Sequence, residues 1–220
     1  MFPHNPVGRV WTKEELSNIA NICAKHNVMI VSDEIHCDLT MPGVTHTPIA
    51  SLENAADNTI TLTAPTKTFN LAGLQNSNTI IKNPVLRKAL KEQCEGTGYH
   101  MINTMGYVAA EAAYTHGAQW LDRLRDYLKT NVDFLDKSLK ELNCGVSLIQ
   151  PEATYLMWLD CRALKLNDKE LEDFFTNKAK IWLNTGVSFG NGGAGFMRMN
   201  IACPRATLAK AMANLKQAVK

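Results

Sequence analysis

The chain has 220 residues, of which 45% are hydrophobic and 20% are charged, and its formal net charge is +2. These values are typical of a globular protein with room for one large domain or two small ones. They give no reason to expect nucleic acid or an anionic membrane surface as a partner, and the apolar runs are too short to cross a bilayer. The amino terminus lacks the basic and apolar regions of a signal peptide, and six widely spaced cysteines indicate reduced thiols in a cytoplasmic protein.

The first part of the chain has the pattern of an α/β sheet. Thr12 and Glu15 have the spacing of a capping box, which predicts a helix from Thr12 to His26. The apolar run at residues 28–31 predicts a strand buried on both faces, as in a parallel sheet between helical layers. Two more strands are expected at residues 59–63 and 79–81. This order favours an open sheet that binds ligands outside the carboxyl ends of its strands.

The second part begins with helices and ends with mixed elements. Pro84 is well placed at a helix start, a further helix is expected at residues 105–114, and a long one begins near Gln119 and links two domains. Strands are expected at residues 146–149, 155–160, 181–184 and 196–201, with helices at 168–177 and 204–219. We therefore predict a large domain over residues 1–116 and a linking helix with a small α+β domain over residues 117–220.

Four segments of the chain carry residues suited to a cofactor and an amino-acid substrate. They are residues 3–9 (PHNPVGR), 32–36 (SDEIH), 63–74 (TAPTKTFNLAGL) and 196–200 (FMRMN). Together they resemble the fold-type I pyridoxal 5'-phosphate (PLP) enzymes of the class I/II aminotransferase family. The sequences of the second and third segments are most similar to the cystathionine β-lyase branch (the MalY/PatB-like enzymes). The resemblance implies an α/β PLP-transferase-like fold, in which part of a mostly parallel sheet lies between helices, and a homodimer.

Lys67 and Asp33 are the central residues of this resemblance. PLP is held as an imine, which only a lysine amine can form reversibly, and the family motif implies that Lys67 is that lysine. The freed amine can then move protons as general base and acid. Asp33 would pair with the pyridine nitrogen and so make the cofactor an electron sink. An Asp after a strand is also a common turn residue.

Three further residues are expected to bind the cofactor. The resemblance implies that Asn5 and His36 lie near the cofactor's phenolic oxygen, although Asn-Pro-x-Gly is also simply a good turn and His36 can equally be structural. Relatives often have a serine that touches the phosphate at the position of Ala64, and we expect Thr63 or Thr66 to replace it. Gln75 stands where many relatives have a phosphate-binding arginine.

Arg198 is the predicted ligand of the substrate α-carboxylate. Its guanidinium can form two parallel charge-assisted hydrogen bonds with a carboxylate, which lysine cannot. The glycine-rich segment at residues 190–195 precedes a strand, so we expect a flexible turn and not a phosphate loop. The histidines His26, His46, His100 and His116 lack metal-ligand spacing, so no metal site is predicted and surface or capping positions are expected.

The expected activity is β-elimination from cystathionine or another S-substituted cysteine, with release of a thiol, pyruvate and ammonia. Transamination needs the same Lys67, Asp33 and Arg198, so these residues do not separate the two reactions. The family's glycine-rich phosphate loop and stacking aromatic ring precede Asn5 in relatives, so the chain resembles a C-terminal fragment. A third reading is therefore an inactive remnant or an interaction protein that retains the fold.

Overall fold

A computed structural model describes residues 2–99, 101 and 103–219. The chain divides into two compact units. The first unit comprises Val10–Arg123 and the residues before His4, and the second comprises His4–Arg9 and the chain from Leu124 onwards. The division falls inside a helix, and the domain boundary predicted at residues 116/117 stays a prediction. In the described part of the chain, no helix has the length and apolar character needed to span a membrane.

The first unit contains a three-stranded sheet and four complete helices among its described residues. In chain order the elements are α1 (Lys13–Lys25), β1 (Ile30–Asp33), β2 (Thr59–Thr63), α2 (Pro65–Thr68), β3 (Asn78–Ile81), α3 (Pro84–Gly96) and α4 (Thr104–His116), followed by the start of α5 (Ala118–Leu142). The sheet order is β1-β2-β3. β1 is parallel to β2, whereas β3 is antiparallel to it.

Helix α1 confirms the predicted capping box. The Thr12 hydroxyl accepts a hydrogen bond from the Glu15 backbone N–H, and the Glu15 carboxylate accepts one from the Thr12 N–H. His26 is the C-cap, as expected. The helix buries Leu16 and Ala20 against a cluster completed by Ile30, Ile49, Leu52 and Ala55. Burial of such apolar side chains is the main term that stabilises this half of the unit.

The strand predicted at residues 28–31 is wrong in both position and environment. β1 begins at Ile30 and ends at Asp33, and Val31 is 55% exposed whereas Ile30 is 7% exposed. The cluster that contains α1 covers only one face of the strand within this unit. Sequence hydrophobicity alone does not reveal which face of a strand is covered. The strand predicted at residues 59–63 is confirmed.

The link between β2 and β3 runs from Ala64 to Ser77 and contains α2 and a short 3₁₀ turn. The two strands are antiparallel, with Thr63 opposite Asn78, so β3 starts at the end of the sheet where β2 finishes.

The second unit contains the rest of α5 and a four-stranded antiparallel sheet. Its elements are β4 (Ser147–Leu148), β5 (Leu156–Asp160), α6 (Asp168–Asp173), β6 (Asn184–Thr185), β7 (Phe196–Asn200) and α7 (Arg205–Ala218). The sheet order is β4-β5-β7-β6. The helix predicted at residues 168–177 changes into a π-helical turn at Phe174–Lys178. The strand predicted at residues 181–184 is wrong, because only Asn184 of that range pairs with β7.

Asn131 ties α5 to the end of β7. This side chain is fully buried, and its amide group donates to the backbone carbonyls of Ile201 at 3.0 Å and Cys203 at 3.2 Å. Its amide oxygen accepts from Arg205 Nε at 2.8 Å. A buried amide with all these bonds satisfied favours one register between helix and strand. The contact therefore fixes the strand that carries Arg198.

Candidate active site

The predicted site residues fall into two groups, one in each unit. Asp33, His36, Thr66 and Lys67 belong to the first unit, and Asn5 and Arg198 belong to the second. We refer to the first group as the strand-end cluster. The second group, with the neighbours Asn184 and Phe189 that are described below, is called the arginine cluster.

The strand-end cluster lies at the carboxyl ends of two paired parallel strands. Asp33 is the last residue of β1 and pairs in register with Leu62 of β2. Helix α2 starts at Pro65, two residues after β2 ends. Because the carboxyl ends of parallel strands meet at one edge of a sheet, the backbone of Asp33 and the turn that carries Lys67 share that edge.

The Asp33 carboxylate forms a hydrogen bond in the turn after β1 with one oxygen, and its second oxygen is left for a ligand. Its Oδ1 accepts a hydrogen bond from the backbone N–H of Ile35 at 3.2 Å, so the residue does serve the turn that follows β1. Among the described residues its carboxylate forms no salt bridge. A half-buried carboxylate without a protein cation is suited to a protonated ligand nitrogen.

Lys67 lies in a single helical turn. Pro65 occupies the first position of α2, where its missing N–H costs nothing, and the Phe69 N–H closes the turn on the Pro65 carbonyl at 2.8 Å. Lys67 is half-buried, and its ammonium group forms no hydrogen bond or ion pair with the described residues. The neighbouring Thr66 is 8% exposed, and Ala64 is 4% exposed. Gln75 has a left-handed backbone with φ of 51°.

The turn after β1 carries a buried polar network that sequence reasoning missed. His36 is only 2% exposed. Glu34 is also 2% exposed, and its carboxylate accepts hydrogen bonds from the Ser32 hydroxyl at 2.8 Å and the Ile49 N–H at 3.2 Å. Its other oxygen lies 2.8 Å from His46 Nε2. The surface position predicted for His46 is therefore wrong. His116 is exposed as expected, and His100 lies outside the described residues.

The loop that carries Asn5 is held tightly within the second unit. Its backbone closes through bonds from His4 N–H to Arg9 O at 2.9 Å and from Gly8 N–H to His4 O at 2.7 Å. Gly8 has φ of +77°, and a Cβ there would meet the Ala153 carbonyl oxygen at 2.8 Å. This is why the Asn-Pro-x-Gly turn needs glycine. The Gly8 carbonyl accepts the N–H groups of Glu152 and Ala153, which anchor the loop.

Arg198 is the centre of the arginine cluster. Its Nη1 donates to Asn5 Oδ1 and its Nη2 donates to Asn184 Oδ1, both at 2.8 Å. Its guanidinium carbon lies 4.6 Å from the centre of the Phe189 ring. Burial lowers the pKa of Arg198, and the nearby Tyr155 partly opposes this shift. Its buried Nε has no hydrogen-bond partner among the described residues, so the guanidinium retains an unmet donor.

A small cavity of about 240 Å³ lies beside the arginine cluster. Its walls include Asn5, Trp158 and Phe189. The rings of Trp158 and Phe189 meet edge to face, with their centres 5.8 Å apart. Trp158 and Asn184 are the direct cross-strand partners of Arg198 on either side of β7. Sequence reasoning missed Asn184 and Phe189 as neighbours of Arg198, since these contacts depend on the folded chain.

The glycine-rich segment at residues 190–195 buries Gly193 and leads into β7, not into a helix. It contains a 3₁₀ turn at Asn191–Gly193, and a second 3₁₀ turn at Gly186–Phe189 precedes it. A Cβ on either Gly186 or Gly193 would collide with the backbone of the other. The two glycines therefore allow the close approach that places Phe189 over Arg198.

Comparison with known proteins defines the family. The family model described as "Aminotransferase class I and II" matches residues 2–215. The chain belongs to the class I and II aminotransferase family. Its α/β fold is confirmed by the crystal structure of cystalysin from Treponema denticola, which contains PLP. That structure superposes with a TM-score of 0.96 at 42% identity and covers 99% of this chain and 55% of the cystalysin chain.

Two curated relatives differ clearly in their sequence identity to this chain. Cystathionine beta-lyase PatB of Bacillus subtilis (strain 168) is 41% identical over 218 residues, which are 99% of this chain and 56% of PatB. Aromatic-amino-acid aminotransferase 2 of Thermococcus litoralis is 27% identical over 219 residues, with the same coverage of 99% and 56%. The chain thus spans about half the length of the curated relatives that it matches.

Proposed function

We propose that the whole protein is a PLP-dependent carbon–sulfur β-lyase that acts on cystathionine or another S-substituted cysteine. The observation that carries the proposal is the position of Asp33 and of the Lys67 turn at the carboxyl ends of two paired parallel strands. The greater similarity to PatB and to cystalysin than to the aromatic aminotransferase supports the lyase reaction.

The residues of the strand-end cluster fit PLP. An aldehyde needs an amine without a competing counterion, and Lys67 has none among the described residues. A protonated pyridine nitrogen needs a carboxylate, which Asp33 offers. His36 and Thr66 are proposed as further cofactor contacts. When bound, PLP supplies an electron sink for the electron pair that is left on the substrate Cα after loss of its proton.

Each predicted residue then has a distinct task. Asp33 keeps the ring nitrogen protonated. Lys67 would hold the cofactor through its side-chain amine, and the same amine, when free, would take the proton from the substrate Cα. Arg198 binds the substrate carboxylate, for which the second protons of Nη1 and Nη2 are suited. Asn5 orients Arg198 through its amide oxygen, which leaves its amide N–H₂ for the cofactor.

The proposed reaction balances without an added oxidant or reductant. The Cα–H bond breaks and its proton passes to Lys67. The Cβ–S bond then breaks, and the sulfur leaves with the bonding electron pair and takes up a proton as the free thiol. The remaining three-carbon unit reacts with one water to give pyruvate and ammonia.

Transamination is the second candidate. It is favoured by the family that the chain belongs to and by the similarity to the aromatic aminotransferase. In that reaction Lys67 would return the Cα proton to the cofactor, no Cβ–S bond would break, and a 2-oxo acid would be required to accept the amino group. The third candidate, an inactive protein that retains the fold, needs neither the lysine nor the arginine.

The product formed without a 2-oxo acid separates these candidates. The whole protein is incubated with cystathionine and PLP, and pyruvate and thiol are measured with and without an added 2-oxo acid. The lyase proposal predicts equal amounts of both products without the acid, and none with Lys67→Ala. Amino transfer that depends on the acid would support the second candidate, and the absence of both reactions would support the third.

The assembly and location of the whole protein are also proposals. We propose a homodimer that binds small amino acids, on the basis of the family. The six free cysteines support a cytoplasmic location, where thiols remain reduced.

A further inference from the structure

The turn that carries Lys67 is too short to fix its own geometry. Helix α2 has four residues, and it begins after Ala64 without a side-chain cap. Isolated helices of this length are unstable, because the cost of the first turn is not offset by propagation. Contacts from outside the helix must therefore define the position of the Lys67 backbone.

One such contact comes from the loop after β1. Thr68 directly follows Lys67, is fully buried, and donates a hydrogen bond from its hydroxyl to Asp38 Oδ2 at 2.9 Å. Asp38 Oδ1 accepts a weaker bond from Cys37 Sγ at 3.6 Å. The bond from Thr68 joins loops that are 30 positions apart in sequence, and each loop follows one of the two parallel strands.

The surroundings of Asp38 favour a neutral donor such as Thr68. Burial, followed by the negative charge of Asp38, raises the pKa of Cys37 to about 12. Burial and the same charge raise the pKa of Tyr114 to about 12. Both groups stay neutral at physiological pH. Asp38 forms no salt bridge with the described residues, so its hydrogen bonds to Thr68 and Cys37 take the place of a counterion.

We propose that Asp38 is a positioning residue for Lys67 and acts through the hydroxyl of Thr68. The inference rests on the proposed function, because it assumes that Lys67 carries the cofactor. Lys67 must release its bond, move a proton at the substrate Cα and form the bond again, and its flexible side chain does this only from a fixed backbone. Hydrogen bonds to a carboxylate are about twice as strong as neutral ones, so this contact is suited to hold the turn.

The test uses Thr68→Val, which removes the hydroxyl and retains the shape, together with Asp38→Ala and the double variant in the whole protein. Thr59→Val is the matched control, since the fully buried Thr59 hydroxyl donates to the Ala55 carbonyl at 2.7 Å at the far end of β2. The first readout is the rate at which PLP becomes attached to Lys67. Samples are trapped with borohydride at set times, and the labelled peptide is identified by mass. The second is the exchange of the substrate Cα proton with deuterium.

We expect Thr68→Val and Asp38→Ala each to slow both rates by about tenfold or more, since small misplacements at a reacting group have effects of this size. The double variant should resemble either single one, Thr68→Ser should restore the rates, and Thr59→Val should leave them unchanged. Effects that multiply in the double variant, or rates equal to the unsubstituted protein, would overturn the inference. Absence of label on Lys67 in the unsubstituted protein would instead overturn the proposed function.

Discussion

Arg198 and Asn5 are 193 positions apart in the chain, yet Arg198 Nη1 donates to Asn5 Oδ1 at 2.8 Å. The contact brings together the first and the last of the four segments that point to a PLP enzyme. It also gives Asn5 a role that its sequence context does not reveal, since an Asn-Pro-x-Gly turn alone explains the residue equally well. The turn therefore places the Asn5 side-chain amide, and this amide orients the Arg198 guanidinium.

The geometry of Arg198 predicts that charge alone is insufficient at this position. Arg198→Lys keeps the positive charge but cannot bond to Asn5, Asn184 and a substrate carboxylate together. We expect kcat/KM for the amino-acid substrate to fall about 30-fold, which corresponds to about 2 kcal/mol for the lost charge-assisted bonds. Steady-state kinetics of the whole protein measure this. Arg87→Lys on α3 is the control, and an equal effect of both changes would contradict the assignment.

The network around Glu34 predicts a large contribution to stability. Glu34→Ala leaves the Ser32 hydroxyl, the Ile49 N–H and His46 without their shared acceptor inside the protein. We expect the free energy of unfolding to fall by about 3 kcal/mol, which is the size of loss found when one partner of a buried ion pair is removed. Asp133→Ala, which removes an exposed pair with Lys129, should cost less than about 1 kcal/mol. Urea unfolding tests both, and similar losses would show that the network contributes little.

The raised pKa of Cys37 predicts an unusual pH dependence of its reactivity. A pKa of about 12 means that the thiol stays protonated at neutral pH, and only the thiolate reacts with iodoacetamide. The alkylation rate at Cys37 should therefore still rise about tenfold per pH unit from about pH 8 to about pH 10, where an ordinary cysteine levels off. Peptide mapping after timed alkylation measures the rate. A plateau near pH 9 would show that the thiol is not shifted.

The 220-residue chain by itself is predicted to bind PLP weakly. Gln75 is neutral where many family members have a phosphate-binding arginine, and Ala64 has no hydroxyl to replace the common serine. Several apolar side chains of the first unit, such as Val31 and Ile80, are more than half exposed. Titration of the purified chain with PLP, followed by absorbance, tests this. Tight binding that is lost in Lys67→Ala would contradict the prediction.

Local signals in the sequence predict some elements of the fold well and others poorly. Helix α1 is predicted correctly because its capping box lies within four residues, and α3 because Pro84 occupies its first position. The range predicted for β6 fails because Ile181 and Leu183 are buried without pairing in a sheet, so their alternation with the exposed Trp182 imitates a strand.

In the candidate site too, sequence motifs predict some residues, whereas contacts between distant segments are not predicted. The motifs predict Lys67, Asp33 and Arg198 as residue types at fixed spacing. They do not reveal the contacts of His46 with Glu34 or of Asn184 with Arg198, since those depend on loops and strands that meet only in the folded chain. The sheet register that sets Asn184 opposite Arg198 is itself a tertiary property.

The attachment of PLP to one lysine is the most direct test of the whole account. The whole protein is loaded with PLP, reduced with borohydride and digested, and the modified peptide is sequenced by mass spectrometry. We predict a single phosphopyridoxyl group on Lys67, and no modified peptide from Lys67→Ala. Modification of a different lysine, or an unmodified Lys67 in the loaded protein, would contradict the account.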